Sequence, residues 1–226
     1  MGARTFDSRA TNPPQAVAPR FRGVAHLGAF LAAVPVGVLL VLHARSGIAQ
    51  VGAAVFAASV TFMLGSSSLF HRRRWSAERM RWIGLLDHAA IYVLIAGTYT
   101  PFALLVLHPA WRLPILAIAW GGALAATLRK LFRPHAPAWV AAATCVALGW
   151  VSVIVMPQII ESIKLGPSSL LAAGGIAYTA GALVYVRRKP DPFPETFGYH
   201  EVFHALVVAA VALQYTTIAF FVLPNA

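Results

Sequence analysis

The sequence predicts an all-α membrane protein: a seven-transmembrane helical bundle with its N-terminus in the cytoplasm and its C-terminus outside. Three observations carry that prediction. Of the 226 residues, 59% are apolar and only 11% are charged, whereas a soluble domain is about a quarter charged. The apolar residues gather into seven runs, each near the roughly 20 residues that a hydrocarbon core requires. The basic residues are divided so unevenly between alternate connections that they set an orientation.

Taken in order, residues 1–21 hold Pro13, Pro14 and Pro19 among Arg4, Arg9 and Arg20. With no long apolar core, they read as a disordered basic cytoplasmic tail without a cleavable signal peptide. Residues 22–226 form the seven-helix transmembrane domain. Its apolar runs are Gly23–Leu42, Ile48–Phe70, Trp82–Leu107, Trp111–Leu128, Ala138–Met156, Ser168–Val186 and Val202–Leu223. The third is the longest and the fourth the shortest, and Pro101 kinks the third or ends it early. Gly174, Gly175 and Gly181 in the sixth allow a neighbouring helix to come close. The connections are short, the Pro-rich Arg187–Tyr199 segment being the longest. There is no internal repeat and no second domain. Cys145, the single cysteine, lies within an apolar run and reads as a small buried hydrophobe.

Orientation follows from counting. Of the 18 basic residues, all but Arg45, Arg112 and Lys164 fall in the N-terminal tail and the second, fourth and sixth connections. That asymmetry places the N-terminus in the cytoplasm of a cell carrying this chain in its plasma membrane. The net charge of +11 is therefore a membrane-orientation signal, and nucleic acid is not an expected partner.

With that topology the second run ends at His71, the third begins from the same side with Asp87, and the seventh begins there with His200 and His204. All four lie in the cytoplasmic half; at the opposite helix end, about 30 Å of hydrocarbon would separate them. On a helix His200 and His204 stand one turn apart on a common face, as do Ser67 and His71. Three imidazoles that leave one position for water make a catalytic zinc arrangement. A carboxylate at Asp87 can orient that water and accept its proton, and a hydroxyl at Ser67 can bond a ligand or a developing oxyanion. Each residue also has a plainer reading. His71 can be interfacial beside Arg72, Arg73 and Arg74; Asp87 can pair with Arg81; His200 can lie in the loop. Shared depth is what favours a metal site, with iron bound by Asp87 and two histidines as the competing donor set. His26 reads as a satisfied polar residue, His88 as a packed or lipid-edge residue, and Gln214 and Tyr215 as interhelical hydrogen-bonders. His200-Glu201-x-x-His204 also fits the HExxH pattern of metalloproteases. Because Asp87 already supplies a carboxylate, Glu201 reads as a solvated interfacial residue and an intramembrane metalloprotease is a minor reading.

Several stretches together resemble the hemolysin III family, the bacterial relatives of the progestin and adiponectin receptors and, more distantly, of alkaline ceramidases. They are Ser67-Ser68-Leu69-Phe70-His71, Leu86-Asp87-His88-Ala89-Ala90-Ile91-Tyr92, Ala96-Gly97-Thr98-Tyr99-Thr100-Pro101-Phe102, His200-x-x-x-His204 and Arg22-Gly23-x-x-His26. The likeness spans all seven helices. It implies that His71, His200 and His204 ligate zinc, that Asp87 holds the zinc-bound water as general base, and that Ser67 is a supporting or substrate-facing hydroxyl. It also implies a cytoplasmic N-terminus and a part in membrane lipid homeostasis.

Two functions are therefore expected, both with membrane lipids as partners. One is a zinc-dependent hydrolase of a lipid amide or ester, similar to a ceramidase. The other is a non-enzymatic sensor or regulator in which zinc staples the helices. A cytolytic pore is the weaker reading, since no span carries the ladder of polar residues that would wet a channel.

Overall fold

In lipid every backbone N–H and C=O must find its partner within the segment, so apolar runs of this length become helices. The computed structural model describes residues 19–225, and the part of the expected tail before residue 19 lies outside the described residues. The helices are α1 (Val24–His43), α2 (Gly47–Arg72), α3 (Ala77–Leu105), α4 (Pro109–Phe132), α5 (Ala138–Trp150), α6 (Ser152–Ile163), α7 (Leu165–Arg187) and α8 (Tyr199–Thr217). With α5 and α6 sharing one span, seven segments among the described residues are long and apolar enough to cross a membrane. Among the described residues there is no strand, only an isolated bridge between Phe193 and Phe197.

Sequence chemistry sets the ends of several helices. Ser46 and Ser76 cap α2 and α3 by accepting from the Ala49 and Arg79 amides, donors that a helix start leaves without partners. Pro109 opens α4 at a first-turn position, where its missing N–H costs nothing. At α8 the Asp191 carboxylate accepts from the Tyr199 amide at 2.7 Å and Glu201 accepts from the Gly198 amide at 2.9 Å. Both carboxylates meet the positive end of that helix.

Several expectations change. Pro101 does not end the third span: α3 continues through it to Leu105 and, at 29 residues, is the longest helix. Unwinding in lipid would strand many backbone groups, whereas a proline removes one hydrogen bond. The fourth span extends at both ends to 24 residues, which leaves the first, with 20, as the shortest span, the seventh running from Tyr199 to Val222. The fifth span reaches Ile163, with an interruption at Val151. The Tyr99 hydroxyl is bonded to the Leu148 and Gly149 carbonyls there, at 2.9 and 2.7 Å.

Packing is sequential: α1 runs along α2, α2 along α3, α3 along α4, and α7 along α8, with α8 also against α1 and with α5 and α6 against α7. Gly174 and Gly181 do face α8, where a Cβ would stand 3.4 Å from the Ala210 carbonyl and 3.3 Å from the Phe203 ring respectively. Gly175 meets nothing within 4 Å in that sense and lines a cavity instead. Gln214 accepts from Thr98 at 3.3 Å and Tyr215 donates to the Val36 carbonyl at 3.3 Å, so both join helices as expected.

Candidate metal centre

α2 keeps its helical turn through Arg72, which leaves His71 on the same face as Ser67. α8 begins at Tyr199, so His200 and His204 are both helical and one turn apart. His200 is therefore not in the loop. The three rings converge: centroids are 4.8 Å apart for His71 and His200, 5.1 Å for His71 and His204, and 4.5 Å for His200 and His204. One ring nitrogen from each lies within 4.8 Å of the others, a group that can hold a metal ion.

Two observations test whether these residues suit a metal. Nε2 of His71 and Nε2 of His200 are 3.2 Å apart, close to the roughly 3.3 Å between ligands on a tetrahedral ion with bonds of about 2.0–2.1 Å. A shared proton could explain that pair alone, but it leaves His204 out. Nδ1 of His204 is buried with no hydrogen-bond partner, and a histidine 2% exposed ordinarily has its nitrogens satisfied. The donor set fits a transition metal that favours imidazole.

Asp87 and Ser67 open onto the same cavity as the triad. The cavity measures about 260 Å³ and reaches from the histidines to Leu107, just beyond α3, and to Ile159 of α6. Its walls away from the triad are mostly apolar, with Ile91, Ile95, Val146, Val155 and Leu171 among them. Cys145 lines it from α5. His88 packs with Nδ1 on the Gly84 carbonyl at 2.7 Å and makes no approach to the triad close enough to join it.

Three residues matter more than their sequence reading suggested. His26 is satisfied on one side, with Nδ1 2.8 Å from Ser67 Oγ, but its ring also stacks on His204 at 3.8 Å and 13°. It thus belongs to the site. The signal was its depth, one turn into the first helix beside Arg22-Gly23. Glu201 is not solvated: it is 2% exposed, and Oε1 pairs with Arg22 Nε at 2.7 Å. With its other oxygen on the Gly198 amide, neither is left as the general base that the metalloprotease reading needs. Arg22 arrives from the segment before α1, whose Arg20 and Phe21 amides donate to the Glu195 and Thr196 carbonyls. Gly23 then turns at φ 75°, and a Cβ there would stand 2.7 Å from that of His71. Only glycine suits both that backbone and that approach.

The fold and site define a class: multi-pass helical membrane proteins with a histidine triad on a largely apolar cavity. A family profile described as haemolysin-III related matches residues 15–215. Hemolysin-3 of Bacillus cereus is 31% identical over 204 residues, covering 88% of this chain and 89% of that protein. The Hemolysin-3 homolog of Bacillus subtilis (strain 168) is 30% identical over 194 residues, covering 84% and 88% respectively. The chain belongs to the hemolysin III family.

Proposed function

We propose that this protein is a zinc-dependent hydrolase of a lipid amide or ester, embedded in the plasma membrane with its triad in the cytoplasmic half. The observation that carries the reading is the cavity, because an apolar channel of acyl-chain character ends at three imidazoles, a carboxylate and a hydroxyl. Zinc held by His71, His200 and His204 would act as a Lewis acid on the substrate carbonyl. Asp87, on the adjoining wall, is placed to take a proton from the attacking water. Ser67 serves in one of two ways: it bonds Asp87, or it donates to the carbonyl oxygen as charge develops there. The apolar length behind them receives the acyl chain and keeps bulk water from it. The cytoplasmic placement is supported by the basic residues of the tail and of the second, fourth and sixth connections, which share the triad's side.

The test is fatty-acid release from a panel of ceramides, other acyl amides and acyl esters by the purified protein in lipid nanodiscs. Release is expected from at least one, and Asp87→Asn should abolish it with the metal content unchanged. No release across the panel, together with a lower melting temperature after chelation, would replace the hydrolase with the sensor, in which the ion ties α2 to α8.

A further inference from the structure

Away from the triad the cavity is not uniformly apolar. Tyr99, Ser152 and Thr179 line it, and each of their hydroxyls donates to a helix carbonyl: Tyr99 to Leu148 and Gly149, Ser152 to Gly149, and Thr179 to Gly175. Tyr178 is different. It lines the same cavity from α7, and its hydroxyl is buried with no hydrogen-bond partner. A tyrosine hydroxyl closed off from water ordinarily finds one.

Gln214 presents a second free group. One end of its amide meets Thr98 at 3.3 Å, and the other end makes no hydrogen bond among the described residues. It lines the cavity from α8 and packs on α7 at Gly174, where a Cβ would stand 3.3 Å from its Cγ. Tyr178 follows Gly174 by one turn on the same face. Helical side chains lean toward the N-terminus of their helix, so the Tyr178 hydroxyl is carried toward the level of the Gln214 amide.

That level is well removed from the triad. Gln214 is ten residues beyond His204 on α8, about 15 Å along the axis. On α7, the Tyr185 ring is 5.9 Å from that of His200. Tyr178 lies two turns before Tyr185 on the same face, about 10 Å further from the triad before its side chain leans further still.

The two groups call for a neutral partner. Both are uncharged, and no lysine or arginine lines the cavity to balance an anion. A hydroxyl both donates and accepts, so it satisfies the phenol and either end of the amide, whereas a methylene satisfies neither.

We propose that Tyr178 and Gln214 form a second subsite, which binds a hydroxyl carried in mid-chain by the lipid whose carbonyl lies at the triad. An extended chain advances roughly 1.2 Å per bond, which puts that hydroxyl about a dozen bonds from the carbonyl. The preferred substrate class is therefore a lipid whose acyl group is hydroxylated in mid-chain. The subsite rests on the reading of the cavity as an acyl-chain channel, and not on hydrolysis.

The test is binding. Zinc-loaded protein in nanodiscs is titrated with octadecanoic acid and with its derivatives hydroxylated at carbon twelve and at carbon six, read by displacement of a fluorescent fatty acid. The two hydroxy acids are isomers that partition into lipid alike, so their difference reports the subsite. The acid hydroxylated at carbon twelve should bind roughly five- to tenfold more tightly than the other, the value of one hydrogen bond to a group otherwise unpaired. Tyr178→Phe removes a single unpaired oxygen and should erase that difference. Isomers that bind the wild type equally, as they would if a water held the phenol, overturn the proposal. So does a preference that survives in Tyr178→Phe. A wild type that binds none of the three acids removes the acyl-chain channel and the subsite with it. If the isomers differ in binding but no acyl amide or ester is hydrolysed, the subsite stands and the hydrolase falls. If amides of both are hydrolysed at one rate and the acids bind alike, the reverse holds.

Discussion

Two of the cavity's walls are built on opposite plans. The wall of α2, α3 and α8 supplies Ser67, His71, Asp87, His200 and His204, and 61% of the most apolar stretch of α3 is buried. The wall of α5 and α6 has 6% of its stretch buried, and no residue of α5 is fully enclosed. What α5 presents to the cavity is largely small, Ala141, Ala142, Cys145 and Gly149, beside Val146 and the larger Trp150. The difference teaches where this fold demands accuracy. Converging imidazoles must be held to fractions of an ångström, which takes close packing and satisfied polar groups. An apolar wall has only to leave room, so loose contact and small side chains are enough.

That contrast can be broken most severely at the triad. His200→Ala should weaken zinc binding by at least about a hundredfold, read by competition with a chromophoric chelator, whereas Cys145→Ala on the opposite wall should leave affinity unchanged. Next comes the ion pair that anchors α8. Removing one member of a buried pair leaves the other charge uncompensated, at a cost of about 3–5 kcal/mol. Arg22→Met should therefore lower the thermal midpoint sharply, and Arg22→Met with Glu201→Met should recover much of the loss. An unchanged midpoint in the single variant would show the pair to be incidental. Gly23→Ala should cost about 1–3 kcal/mol through its backbone alone and also loosen the metal, since the added methyl pushes on His71. The smallest effect belongs to the loose wall. Ala142→Leu should change stability by less than about 1 kcal/mol while shifting acyl-chain preference toward shorter substrates. If it disabled turnover of every chain length, the two walls would not differ as described.

The parts legible in the sequence were those set by length and period. Seven apolar runs, the i,i+4 spacing of His200 and His204, and the common depth of His71 and Asp87 required no knowledge of which helix touches which. The helix ends proved less legible, because caps at Ser46 and Ser76 and a proline at Pro109 carry helices past the apolar residues that mark a span. Glu201 was misread for a different reason. Its position at the start of a helix suggests a capping carboxylate, but its cation lies at Arg22, and pattern alone does not pair residues so far apart in the chain. His26 was visible as a polar residue at the right level, while its stack on His204 depends on how α1 turns against α8.

The most direct test of the account is the metal itself. Wild-type protein purified without chelator should carry about one zinc per chain, with zinc-edge X-ray absorption showing three imidazole nitrogens at about 2.0–2.1 Å. Protein that binds no metal when zinc is supplied, or that keeps it undiminished when His71, His200 and His204 are all replaced by alanine, would contradict the account.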